Sequence, residues 1–274
     1  MKKILCPTDF STSAQNGIAY AAKLAKVINA ELTLFHVQSL IEIAPPESGE
    51  NLQSLTERLE SQCDEIARTF KIPCDAVVES TFRKLSSVIH DISPQYDLIV
   101  MGSNGADNLY QFFAGSHAYN AAIKSRSPVL IVPEAYIYSE IKKIVYSFDY
   151  LSERRLPHEK LIAFASAVKS EVTILQVREE AQSKGADEDL WELQAIINNL
   201  YSGDVPLKFA SLRSSDIAQS INSYVFKEQP DVLAVCSTHM NVVERLFHKS
   251  VIKNLATTSD IPIFVFHPDE KTKK

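Results

Sequence analysis

Glycine is scarce in this chain, with seven in 274 residues, yet three of the seven stand at 102, 105 and 115. Glycine is needed where the backbone takes a positive φ or where something must approach it closely, so three in one stretch ask for a reason. Cysteine is scarce too. Cys6, Cys63, Cys74 and Cys236 form no C-x-x-C pair and no dense framework, which excludes a disulfide scaffold and reads as reduced thiols. An excess of positive charge is absent: 28 Lys and Arg against 34 Asp and Glu leave a net charge of −6. That argues against a general nucleic-acid binder, which shows phosphate a basic face. Long apolar runs are missing as well. None approaches the roughly 20 residues of a membrane span, and in "MKKILCPTDF" the run after the lysines is cut at Pro7, too early for a signal peptide. The expectation is a cytoplasmic protein with no membrane partner.

What is present is an ordinary globular composition, 45% apolar and 23% charged, in a chain long enough for about two domains. The chain is also written twice. "KKILCPTDF" at 2–10 recurs as "KKIVYSFDY" at 142–150, and "ELTLFHV" at 31–37 as "EVTILQV" at 171–177. Further on, "YDLIVMGS" at 96–103 matches "PDVLAVCS" at 230–237, and "SPVLIVP" at 127–133 matches "DIPIFVF" at 260–266. The offset falls from 140 to 134 between these markers, as expected of a duplication with one loop later trimmed. The boundary falls near 134–141, giving domains at 1–136 and 140–274.

Within the first copy, strands are predicted at 2–7, 31–37, 74–79, 97–102 and 128–132, with helices at 12–28, 51–70, 83–93 and 115–126. Leu55, Leu59, Ile66 and Phe70 are spaced for one face of the second helix. Continuous apolar strands such as "DLIVMG" suit a parallel sheet covered on both faces. Strand–helix alternation implies βαβ units with right-handed crossovers, hence an α/β fold of two tandem doubly wound, five-stranded parallel-sheet domains, Rossmann-like in type. The last strands, 128–132 and 262–266, are apolar throughout, and such edges invite aggregation unless something covers them.

The glycine stretch follows the fourth strand, at the edge where ligands bind in doubly wound sheets. Its spacing is G-x2-G-x9-G-S, from Gly102 and Gly105 to Gly115 and Ser116. Gly102 would let the chain leave the strand tightly, and Gly105 would turn backbone N–H groups toward an anion. Gly115 and Ser116 would open a helix whose free N–H groups favour phosphate. Ser116 could donate to that phosphate or serve as the N-cap. Strand-to-helix loops commonly contain glycine without any ligand, so an ordinary loop is the competing reading. Asp9 likewise reads as a helix cap before "STS" when taken alone.

The spacing, with "CPTDFS" after the first strand and "SPVLIVP" as the last, resembles the universal stress proteins in their tandem form. The resemblance spans nearly all of the chain and implies the adenine nucleotide alpha-hydrolase-like version of the fold. It also implies that the copies pair through strands 128–132 and 262–266 as an intrachain pseudo-dimer, with a homodimer through such an edge as the alternative assembly. It implies that Asp9 contacts adenine, that Val37 at the end of the second strand gives backbone contacts, and that Met101 flanks the base. Gly102, Gly105, Gly115 and Ser116 would then hold the phosphates of ATP or another adenine nucleotide, with or without Mg2+. His117 departs from the small or β-branched residue often found after that serine; it would donate to a phosphate or crowd it. In the second copy the three glycines become Cys236, His239 and Lys249, and Ser250 and Asp149 alone persist. A Cβ at each position makes a tight phosphate loop costly, so the second domain is expected to be degenerate.

No metal set is expected, since His239 and His248 lack a third ligand in view. Trp191 in a helix over 188–200 reads as core or interface. Nor is a catalytic residue assigned. The chain has no G-x-S-x-G elbow, no G-x4-G-K-[ST] loop, no S-G-G-x-D-S loop and no aspartate pair after the first strand. The leading function is a stress-response regulator binding one adenine nucleotide in its first domain. The alternatives are a nucleotide-free interaction scaffold with an unidentified protein partner, and a slow ATPase.

Overall fold

Two amides and one carboxylate open each half of the molecule in the same way. In the first half, the Lys2 and Lys3 amides donate to Asp97 Oδ2 at 2.6 and 3.0 Å; in the second, those of Lys142 and Lys143 donate to Asp231 Oδ2 at 2.8 and 2.9 Å. The structure, a computed structural model, describes residues 1–40, 51–103, 117–148, 158–178, 205–215, 217–236 and 261–266. The chain forms two compact units, Met1–Tyr138 with Ala256–Val265, and Ser139–Leu255 with Phe266–Lys274.

The first unit runs β1 (Lys3–Pro7), α1 (Thr12–Ile28), β2 (Glu31–Ser39), α2 (Leu52–Phe70), β3 (Cys74–Thr81), α3 (Leu85–Ile92), β4 (Leu98–Ser103), α4 (His117–Lys124) and β5 (Val129–Pro133). A single 3-10 turn, Ser93–Gln95, separates α3 from β4. The parallel strands lie in the order β3-β2-β1-β4-β5, the doubly wound arrangement expected from the sequence. The order reverses between β1 and β4, which is where such sheets bind ligands. The strands bury Ile4, Leu5, Leu32, Leu34, Leu98, Ile99, Val100 and Val129–Val132, so the sheet is core on both faces.

Helix α1 begins where Ser11, in extended conformation, accepts from the Ala14 amide at 3.3 Å, and it stops at Asn29 in the left-handed region. Its Ala14, Ile18, Ala21, Ala22 and Ala25 are buried; small side chains let it lie close to the sheet. Helix α2 starts on Asn51, whose Oδ1 accepts from Ser54 N at 2.9 Å, and ends at left-handed Lys71. Its buried face is Leu55, Leu59, Cys63 and Ile66, with Cys63 inside and Phe70 only half-buried. Strands β2 and β3 each run two residues past their predicted ends. Pairing continues from Leu32↔Cys74 to Ser39↔Thr81, and Ser80 Oγ donates to Gln38 Oε1 at 2.7 Å. Polar cross-strand bonds thus prolong a ladder that the apolar pattern had ended.

One more strand joins the first unit. Ile263, Phe264 and Val265 of β10 (Ile263–Phe266) pair antiparallel with Ile131, Leu130 and Val129.

The second unit contains β6 (Lys143–Phe148), α5 (His158–Val168), β7 (Glu171–Arg178), β8 (Leu207–Arg213), α6 (Ile217–Glu228) and β9 (Val232–Cys236). Its parallel strands lie in the order β8-β7-β6-β9, repeating β3-β2-β1-β4. Leu32 pairs with Cys74 and Val172 with Leu207, so the offset of 140 has become 133 by the third strand. The trimmed segment therefore lies between the second and third strands of the repeat.

Candidate functional site

The carboxyl end of β1 is a rigid hook. Thr8 is buried, and its amide carries the β1–β2 pairing one residue further by donating to Phe35 O at 2.8 Å. Phe10 takes φ 63°, which a bulky residue rarely adopts, and its amide donates to Thr8 Oγ1 at 3.0 Å. The ring of Phe10 lies 4.8 Å from the His36 ring on one side and 4.1 Å from the Arg58 guanidinium carbon on another. His36 Nδ1 donates to the Thr8 carbonyl at 2.8 Å, which fixes the Nδ1-protonated form.

Between Thr8 and Phe10 the chain turns Asp9 outward to solvent. Oδ1 accepts from the Ser11 amide at 3.0 Å and from the Ser11 hydroxyl at 2.5 Å, an Asx-type turn. Asp9 is therefore not the helix cap; Ser11 is. The carboxylate is held in one place by its first oxygen, and among the described residues none donates to its second.

Gly102 lies inside β4 level with Val132, one residue before the strand ends at Ser103. The expected role, a tight exit from the strand, does not describe it. A β-carbon here would fall 1.9 Å from the Ser13 carbonyl oxygen and 3.0 Å from the Ala14 amide nitrogen. Glycine is required because the first turn of α1 rests on this strand. The contact brings the Asp9 hook, the start of α1 and the end of β4 together at the point of strand reversal.

Met101 is 5% exposed and paired with Ile131, a core side chain in this structure rather than an open platform for a ring. Val37 is half-buried and pairs with Glu79. Since β2 continues to Ser39, Val37 is not its last residue. It does lie two residues beyond Phe35, the last residue of β2 paired with β1, and so at the same sheet edge as Asp9. Gly105, Gly115, Ser116, Asp149, Trp191, His239, His248, Lys249 and Ser250 lie outside the described residues.

Phe10, His36 and Arg58 were not legible as site residues. The signal was present for His36, which stands next to Val37 in "FHV" at the same edge. In the second copy the equivalent position is Gln176, 3% exposed, in β7. No helix among the described residues is long and apolar enough to cross a membrane.

Comparison with known proteins bears on the family and the fold. The model of the Universal stress protein family matches residues 1–133. A universal stress protein from Methanocaldococcus jannaschii is 28% identical over 154 residues, 48% of this chain and 94% of its own length. One from Helicobacter pylori is 31% identical over 125 residues, 42% of this chain and 88% of its own. Among solved structures, a universal stress protein from Archaeoglobus fulgidus has a TM-score of 0.74 at 18% identity, across 97% of this chain and 98% of its own. That likeness is one of fold, and it extends over both halves.

Proposed function

We propose, starting from the fact that this chain belongs to the universal stress protein family, that its first half binds one adenine nucleotide, ATP foremost. The observation that carries the reading is the convergence at the β1–β4 reversal. An outward carboxylate fixed by Ser11 stands beside the strand whose end opens the glycine stretch. Asp9 would accept from the exocyclic amine of adenine, and Val37 would offer backbone groups to the base. Gly105, Gly115 and Ser116 would take the phosphates, with or without Mg2+. Met101 reaches the base only if its side chain leaves the core.

In this reading the second half is a degenerate copy that keeps the fold, because Cys236 stands where the first glycine would be and is itself buried in β9. The protein would act as a cytoplasmic regulator in a stress response, holding the nucleotide rather than turning it over. Mass spectrometry of nucleotide released from the purified protein, with calorimetric titration of ATP, tests it. One nucleotide per chain is the expected result. No released nucleotide and no heat of ATP binding would overturn it.

The nucleotide-free scaffold keeps one specific support. Gly102 is fully accounted for by the packing of α1 on β4 and needs no phosphate to explain it.

A further inference from the structure

Cys63 and Cys74 are eleven residues apart in sequence and touch in the fold, with Cys74 Sγ donating to Cys63 Sγ at 3.0 Å. Cys63 faces inward from α2, and Cys74 opens β3 after the short connection through left-handed Lys71. We infer that this pair is a reversible dithiol–disulfide site whose oxidising substrate is a small hydroperoxide. A disulfide needs the sulfurs at about 2.05 Å, so closure asks for a shift of about 1 Å shared between two side chains. Both cysteines are free thiols here, and Cys74 is the partly exposed member, giving a small oxidant its way in.

The two thiols are not equivalent. The hydrogen bond from Cys74 holds the Cys63 thiol below its ordinary range against the opposing effect of burial, and the Leu34 backbone adds to it. The same bond, with burial, pushes Cys74 far up. Of the two, Cys63 is the thiol that ionises more readily and Cys74 the one that holds its proton. Cys6, fully buried in β1, is pushed up by burial and then by the charge on Cys63, so the third thiol of this unit stays protonated.

The chemistry balances with the peroxide as the only oxidant. The Cys63 thiolate attacks one peroxide oxygen, the O–O bond breaks, and the departing oxygen is protonated as water or an alcohol. The resulting sulfenic sulfur is attacked by Cys74 Sγ, which gives up its proton. The S–S bond forms, the S–O bond breaks, and water leaves. The two sulfurs lose two electrons and the peroxide gains them. A thiol reductant reverses the bond by exchange.

The test is to treat the full-length protein with hydrogen peroxide, unfold it, and count thiols, then map peptides by mass spectrometry. Two of the four thiols should be lost, a Cys63–Cys74 linked peptide should appear, and dithiothreitol should restore both. The Cys236→Ser variant, altered in the other unit, should still form the linkage. Cys74→Ser and Cys63→Ala should each abolish it, and the first sits at a partly exposed position that tolerates a hydroxyl. Retention of all four thiols, linkage of Cys63 to Cys6, chains joined through Cys74, or sulfinic acid at Cys63 in the unsubstituted protein would each overturn the assignment.

Discussion

Gly17 and Gly102 meet backbone to backbone across α1 and β4: a β-carbon on Gly17 would stand 2.6 Å from the Gly102 amide nitrogen. Glycine inside a helix costs about 1 kcal/mol relative to alanine, so its place in the middle of α1 is bought by this approach. Gly102→Ala should therefore destabilise the fold by about 3 kcal/mol, the upper end for overpacking, because the blocking atom is a backbone carbonyl. The urea midpoint measures it. An unchanged midpoint would mean that α1 can lift from β4 at no cost.

Gly115→Val should separate stability from binding. If the stretch after β4 cradles phosphate, a side chain at this position blocks the approach of the anion. The variant should stay folded with its urea transition little changed, while ATP affinity by calorimetry falls at least tenfold. Unchanged affinity in a folded variant would remove the phosphate assignment.

Asp9→Ala should act on the choice of base. The carboxylate would accept from an amine that guanine lacks at the same position, so discrimination between ATP and GTP should fall while phosphate affinity persists. Competition of the two nucleotides before and after the change is the measurement. Equal competition in both proteins would show that Asp9 only shapes the turn to Ser11.

Asp97 offers a test by pH. Burial opposes its ionisation, yet the Lys2 and Lys3 amides outweigh it and hold the carboxyl below the ordinary value. A depressed folded pKa stabilises above the unfolded value and is lost as pH falls through the folded one. Asp97→Asn should cost about 1 kcal/mol at neutral pH, a charged hydrogen bond discounted for solvent exposure, and the gap should close below about pH 4. Urea midpoints across pH check this; a gap independent of pH would mean the carboxylate charge contributes nothing.

A fragment of residues 1–136 should self-associate. It keeps β5 but lacks the antiparallel β10 that pairs with Val129–Ile131, leaving an apolar edge unpaired. Sedimentation of the fragment should find a dimer or larger. A soluble monomer would show that the edge is covered by other means.

Where the sequence was readable, local chemistry and the duplication agreed. The span of α1 matches the helix predicted at 12–28, although its cap is Ser11 and not Asp9, and the parallel order follows from strands with no polar face. The reason for Gly102 was not readable, because it depends on Ser13, which a linear pattern cannot set against a strand nearly ninety residues away. The pairing of Cys63 with Cys74 was hidden likewise: a helix face and a strand start show no shared spacing until the connection folds them together. Phe10 was the least legible of all, since nothing in "TDFS" announces a left-handed phenylalanine.

The antiparallel pairing of β10 with β5 also sets an order of events during synthesis. Ile263 reaches its partner Ile131 only after more than a hundred further residues have left the ribosome. At ordinary elongation rates the nascent β5 edge waits about 7–25 s for its neighbour. Every residue of that strand is buried in the finished protein, so the waiting edge is apolar and ready to pair with the same strand on an adjacent nascent chain. The interval before β10 emerges is therefore the period in which β5 lacks its native neighbour.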